Sequence, residues 1–277
     1  MKHSTKNLFA IMTWILVSVL GSSCTTTSSE TGATTEIVAK EVKYGKSQGK
    51  DLIGFLAYPK GAKQAPSVLV VHEWWGQTSY PRKRAKMLAK LGYVALAVDM
   101  YGNRAIASHP KDAKSFMMKT LKDMPNAEKK FKTAMKYVSE LEVSDPKKTA
   151  AIGYCFGGGV VLHAARRGFD LDGVASFHGG LEGMTKVASN NRVKVAVFNG
   201  AADPMVKKEH VVAFKKEMSD AKVSLLFVDY PGAKHGFTNM EATEKGKKYS
   251  LPLAYDQSAD QDSWKQLQKF LKNVFEN

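Results

Sequence analysis

The sequence predicts an α/β fold, a doubly wound and mostly parallel sheet with helices on both faces. Three observations predict it. Several candidate strands, such as SVLVVH (67–72), YVALAVD (93–99) and VKVAVFN (193–199), are continuous apolar runs, the pattern of strands covered on both sides. From residue 67 onward, strand-like and helix-like segments alternate, which implies βα units. Before them stand two strand-like segments with no helix between, so the sheet should begin antiparallel.

In chain order, the first segment lies outside the fold. Lys2 and Lys6 precede an apolar stretch from Leu8 to Leu20, followed by GSSC at 21–24. A charged start, a short apolar middle and small residues read as an export signal over 1–23, too short for a comfortable membrane span. Cys24 follows the small residues as in a bacterial lipoprotein signal and is the lipidation candidate. The expected location is therefore the periplasm or cell envelope, with membrane attachment through Cys24 as one route. Residues 24–35, CTTTSSETGATT, lack core formers and read as a flexible tether. The domain proper should run over 36–277. Its strands are predicted at 36–44, 51–58, 67–72, 93–99, 148–153, 173–178, 193–199 and 223–229. Its helices are predicted at 80–91, 110–121, 126–142, 157–168, 206–219 and 258–275. A monomer is expected.

Composition narrows the class. The 277 residues are 44% hydrophobic, enough for a sizeable core, and carry a formal charge of +15. The lysines are scattered as pairs along helices, without a long basic tract or interleaved aromatics. A solvated basic surface is expected and no nucleic-acid partner. KGKK at 245–248 is read as a solvated loop.

Chemistry concentrates at 150–161, AAIGYCFGGGVV. G-Y-C-F-G between a strand and a helix fits the nucleophile elbow, with Cys155 in the serine position. The alternative is a glycine-rich turn holding a buried cysteine. A nucleophile needs a base and an orienting acid, and this fold delivers them in the order nucleophile, acid, histidine. Asp203 follows the strand at 193–199, and His235 follows the strand at 223–229. In VVHEWWG (70–76) the backbone N–H of Trp74, with that of Phe156, would make an oxyanion hole. Glu73 is an acid adjoining an apolar strand and directed toward the cleft.

HEWWG, VDMYG (98–102), GYCFGG, the Asp203 loop and KHGF (234–237) together resemble the dienelactone hydrolase family over nearly all of the chain after residue 36. The resemblance implies an α/β-hydrolase with a Cys155–Asp203–His235 triad, and a Glu73 that contacts the thiol and takes part in its activation. It implies a small ester or lactone as substrate, opened through a thioester acyl-enzyme. Family members grip a carboxylated lactone with two arginines. Arg104 sits near one of these positions, while Asn239 occupies the other, so dienelactone itself is not the expected substrate. A thioesterase or general carboxylesterase is the alternative, and a catalytically idle envelope binding protein a third reading. Tyr101, Trp75 and His178 are further candidates for lining the substrate pocket, with packing as the alternative for each. His163, Met117 and Met118 read as helix packing. No metal or cofactor is called for, because the histidines form no ligand cluster in sequence.

Overall fold

The computed structural model describes residues 35–183, 185–188 and 191–276. The export signal, Cys24 and all but the last residue of the tether therefore lie outside the described residues. Among those described, no helix is long and apolar enough to cross a membrane.

Eight strands form one sheet: β1 (Ile37–Ser47), β2 (Lys50–Pro59), β3 (Ala65–Val71), β4 (Val94–Val98), β5 (Ser144–Tyr154), β6 (Gly173–Phe177), β7 (Lys194–Gly200) and β8 (Leu225–Tyr230). Their order is β1-β2-β4-β3-β5-β6-β7-β8. β2 runs antiparallel to both neighbours, and every other pairing is parallel. This is the α/β-hydrolase fold that the sequence predicted, antiparallel start included. β4 and β5 lie fully buried where they pair, which is why they read as unbroken apolar runs.

Among the described residues, seven helices accompany the sheet: α1 (Ser79–Lys90), α2 (Pro110–Lys122), α3 (Met124–Ser139), α4 (Phe156–Arg166), α5 (Lys208–Asp220), α6 (Ala242–Tyr249) and α7 (Gln257–Glu276). α1 and α7 cover one face, through Leu88, Leu267, Leu271 and their neighbours. α3, α4 and α5 cover the other, through Phe131, Val161 and Phe214. α6 was not foreseen: the polar KGKK segment expected as a loop lies within it. Its buried residues are only Ala242 and Gly246, with Tyr249 half-buried against Trp75, too little for a readable stripe.

The topology places the site. β3 sits between β4 and β5, so the chain winds one way from β3 to β4 and the other way from β5 onward. A crevice opens outside the C-terminal ends of strands at such a reversal.

Candidate active site

β5 ends at Tyr154, and α4 begins at Phe156. Cys155 is the joint, with φ 54° and ψ −115°, a strained backbone for a side-chain-bearing residue. Two glycines make so tight a turn feasible. A Cβ on Gly153 would lie 2.0 Å from the Gly157 carbonyl oxygen, and one on Gly157 would lie 2.3 Å from that of Val71. The helix can therefore start directly against β3 and β5. Cys155 is half-buried and stands at the positive end of α4.

The acid and histidine come from the next strand ends in the same direction. Asp203 lies just beyond β7, in a tight turn closed by its N–H donating to the Gly200 carbonyl at 3.1 Å. Its Oδ1 accepts from the Met205 N–H at 2.8 Å, which aims Oδ2 at His235 Nδ1, 2.7 Å away. His235 follows β8 and is buried. Its Nε2 has no oxygen or nitrogen partner among the described residues. Burial works against charge on this ring, but the nearby Cys155 and the Asp203 carboxylate outweigh it, and the imidazole is pushed up to about 10. Cys155, Asp203 and His235 thus meet at one sheet edge in the order the sequence predicted, with Cys155 and His235 opening on a cavity of about 920 Å³.

The predicted oxyanion donors are available. Among the described residues, neither the Trp74 nor the Phe156 N–H donates to a protein acceptor. The peptide carrying the Trp74 N–H is fixed through its other end, because the Glu73 carbonyl accepts from His72 Nδ1 at 2.6 Å and from the Gly76 N–H at 3.1 Å. His72 Nε2 accepts from the Met100 N–H, so Nδ1 carries the proton, and burial keeps this ring from charging. His72 went unremarked in the sequence. Its only signal there is a polar residue ending an apolar strand.

Glu73 is buried beside the site, yet its carboxylate is held by Asn239 Nδ2 at 2.7 Å and makes no hydrogen bond to Cys155. This departs from the contact that the family resemblance implied. It also accounts for Asn239, whose amide serves the glutamate where an arginine was expected. Burial raises the Glu73 carboxyl above its ordinary range, against weaker opposing effects of Asn239, Lys245 and His235.

The four candidates for lining the substrate pocket do not line the cavity. Arg104 is half-exposed and ion-paired to Glu41, with its N–H on Asp99 Oδ2. Tyr101 is buried against His72 and Phe156, and its hydroxyl donates to the Trp74 carbonyl at 2.9 Å. It braces the loop that carries Trp74. Trp75 packs between Trp74 and Tyr249 with the Lys245 ammonium over its ring. His178 is wholly buried behind the elbow. Its Nδ1 accepts from the Cys155 N–H at 3.2 Å, and its Nε2 is 2.8 Å from Thr238 Oγ1. Burial and the neighbouring His235 and Arg84 charges hold its pKa far down, so it stays neutral and able to accept. Of the residues read as helix packing, Met117 and His163 help wall the cavity, whereas Met118 is exposed. Among the described residues, no group of three or more His, Cys, Asp or Glu side chains is placed to hold a metal ion.

A strand–elbow–helix nucleophile position with an Asp–His pair beyond later strands defines an α/β-hydrolase. The chain belongs to the dienelactone hydrolase family, whose model matches residues 52–275, and it is a carboxylic ester hydrolase of that type. It is 30% identical to Protein usf of Aquifex pyrophilus over 82% of this chain and 95% of that one. It is 29% identical, with the same coverage, to the Aquifex aeolicus protein named "Putative carboxymethylenebutenolidase". Among solved structures, a dienelactone hydrolase-like promiscuous phosphotriesterase from metagenomic libraries matches with a TM-score of 0.78 and 28% identity, covering 86% of this chain and 98% of that one.

Proposed function

We propose that the chain cleaves esters or lactones by nucleophilic catalysis from Cys155, with His235 as base and then acid and Asp203 as its orienting carboxylate. The observation that carries this reading is that His235, held 2.7 Å from Asp203, opens with Cys155 on one cavity. His235 already holds the thiol's proton in the resting site, and Cys155 Sγ attacks the carbonyl carbon. The carbonyl oxygen becomes an oxyanion between the Trp74 and Phe156 amides. As the C–O bond breaks, His235 delivers its proton to the leaving oxygen, and a thioester remains on Cys155. A water, deprotonated by His235, attacks the thioester. Sγ leaves, His235 keeps the proton taken from water, and the carboxylic acid departs. For a lactone the two halves leave as one hydroxy acid. The related proteins' names support an ester or lactone substrate over the thioesterase reading.

Intact-mass measurement after p-nitrophenyl acetate, beside turnover of wild type and Cys155→Ala, tests this. An acetyl adduct on wild type, with turnover reduced at least a hundredfold in the variant, is expected. Equal turnover of both proteins without an adduct would sink the reading.

A further inference from the structure

The cavity over Cys155 is large and its wall mainly apolar. At about 920 Å³ it lies near the top of the range for sites that enclose drug-sized ligands, so a small lactone would leave most of it empty. Trp74, Phe156 and Val160 line it beside the nucleophile, and Met117, Leu121 and Met124 continue the wall on α2 and at the start of α3. The methionines suit a flexible apolar guest, since their side chains adapt to varied shapes.

Charge at the wall is either spent or out in solvent. Arg166 is ion-paired to Glu217, His163 Nε2 lies 2.9 Å from Glu128 Oε1, and Glu182, itself exposed, lies 3.1 Å from His210 Nε2. Lys111 and Lys114 are exposed. Neither position that would grip a carboxylated lactone contributes, because Arg104 is committed to Glu41 and Asn239 to Glu73. The deep wall therefore offers a ligand contact area and no unpaired buried cation, since Arg166 is held by Glu217 and His235 by Asp203.

Building on the nucleophilic reading above, we infer that the substrates are esters with a long, uncharged apolar arm, of about eight carbons or more, housed between α2 and α4. Each methylene transferred from water to such a wall is worth ~0.8 kcal/mol, or about fourfold in affinity at most. Part of that gain should appear in kcat/KM as the arm lengthens.

Gly159 on α4 offers a selective plug. It lines the cavity, and a Cβ there would meet nothing nearer than the Gly180 carbonyl oxygen at 3.8 Å. A leucine can thus project into the cavity without a clash at Cβ.

The experiment measures kcat/KM for p-nitrophenyl esters from acetate to decanoate, and for alkyl acetates from ethyl to decyl, on wild type, Gly159→Leu and Met117→Gln. Calorimetric binding of decanoate and acetate, which needs no catalysis, accompanies it. We expect at least a tenfold rise from the two-carbon to the eight-carbon arm in one series. That ratio should fall at least tenfold in Gly159→Leu and severalfold in Met117→Gln, and decanoate should bind wild type at least tenfold more tightly than Gly159→Leu. Cys155-dependent turnover that is flat in both series, with decanoate binding no better than acetate, would overturn the inference and leave the nucleophilic reading standing. Tight decanoate binding lost in Gly159→Leu, without Cys155-dependent turnover, would retain the apolar site and overturn its assignment to substrate. Melting curves of both variants show whether a change reflects folding.

Discussion

Glu73 is a buried carboxyl whose hydrogen-bond partner is a neutral amide, and burial dominates its titration. A folded pKa raised above the ordinary 4.5 means that ionisation costs stability as pH climbs past that value. Glu73→Gln keeps an oxygen for Asn239 Nδ2 and removes the charge. The variant should melt higher than wild type at pH 7–8, by roughly 2–4 °C for each kcal/mol relieved, and the difference should vanish near pH 4. An equal difference at both pH values would refute the assignment. Legibility at this scale followed covalent constraint. Cys155 could be read because its turn demands glycines at 153 and 157, and Asp203 and His235 because both follow strands. Arg104, Tyr101, Trp75 and His178 were near the right places in the chain, but their side chains are directed by packing. A residue after a strand can face the cavity or, like His178, the back of the elbow, and one sequence does not say which.

Among elements, the tie between the two ends of one sheet face rests on Arg84. It reaches from α1 to Asp260 in the first turn of α7, and donates to the Thr238 carbonyl at 2.8 Å in the segment that follows His235. Its guanidinium lies within 5.2 Å of the ring centres of Tyr80 and Trp264. Only 5% of its side chain is exposed, against 16% for Asp260. Removing one member of a buried pair strands the other, at about 3–5 kcal/mol. Arg84→Met should therefore lose about 3 kcal/mol in urea unfolding, and adding Asp260→Asn should cost less than the two single changes together. Additive losses would show that the pair is not coupled. The inner strands were legible because a strand buried on both faces must be apolar throughout, whereas the edge strands β1 and β8 are mostly exposed or half-buried. Helices α1 to α3, α5 and α7 declared themselves by their amphipathic stripes, while α4, buried nearly all round, was read from its place after the elbow. α6 did not declare itself, since its only buried residues are an alanine and a glycine, and the lysines around them read as a loop.

For the whole molecule, the reversal of winding between β3 and β5 gathers residues from four separate loops around one histidine, and that histidine links the site to global stability. In the folded chain His235 keeps its proton up to about 10, whereas the ordinary value is 6.5. A raised folded pKa stabilises the native state fully below pH 6.5, and that contribution is lost as pH rises toward 10. The effect opposes Glu73, whose cost is already complete once pH lies well above its raised pKa, so the slope on the alkaline side belongs chiefly to His235. Urea midpoints measured from pH 6 to 10 should fall in wild type. In His235→Gln the curve should be flatter over the same range. Cys155→Ala removes the largest influence favouring the His235 proton, so its decline should still begin near pH 6.5 but finish at lower pH than in wild type. A wild-type decline retained unchanged in His235→Gln would place the titrating group elsewhere and break the proposed link between the Cys155–His235–Asp203 charge arrangement and the stability of the fold.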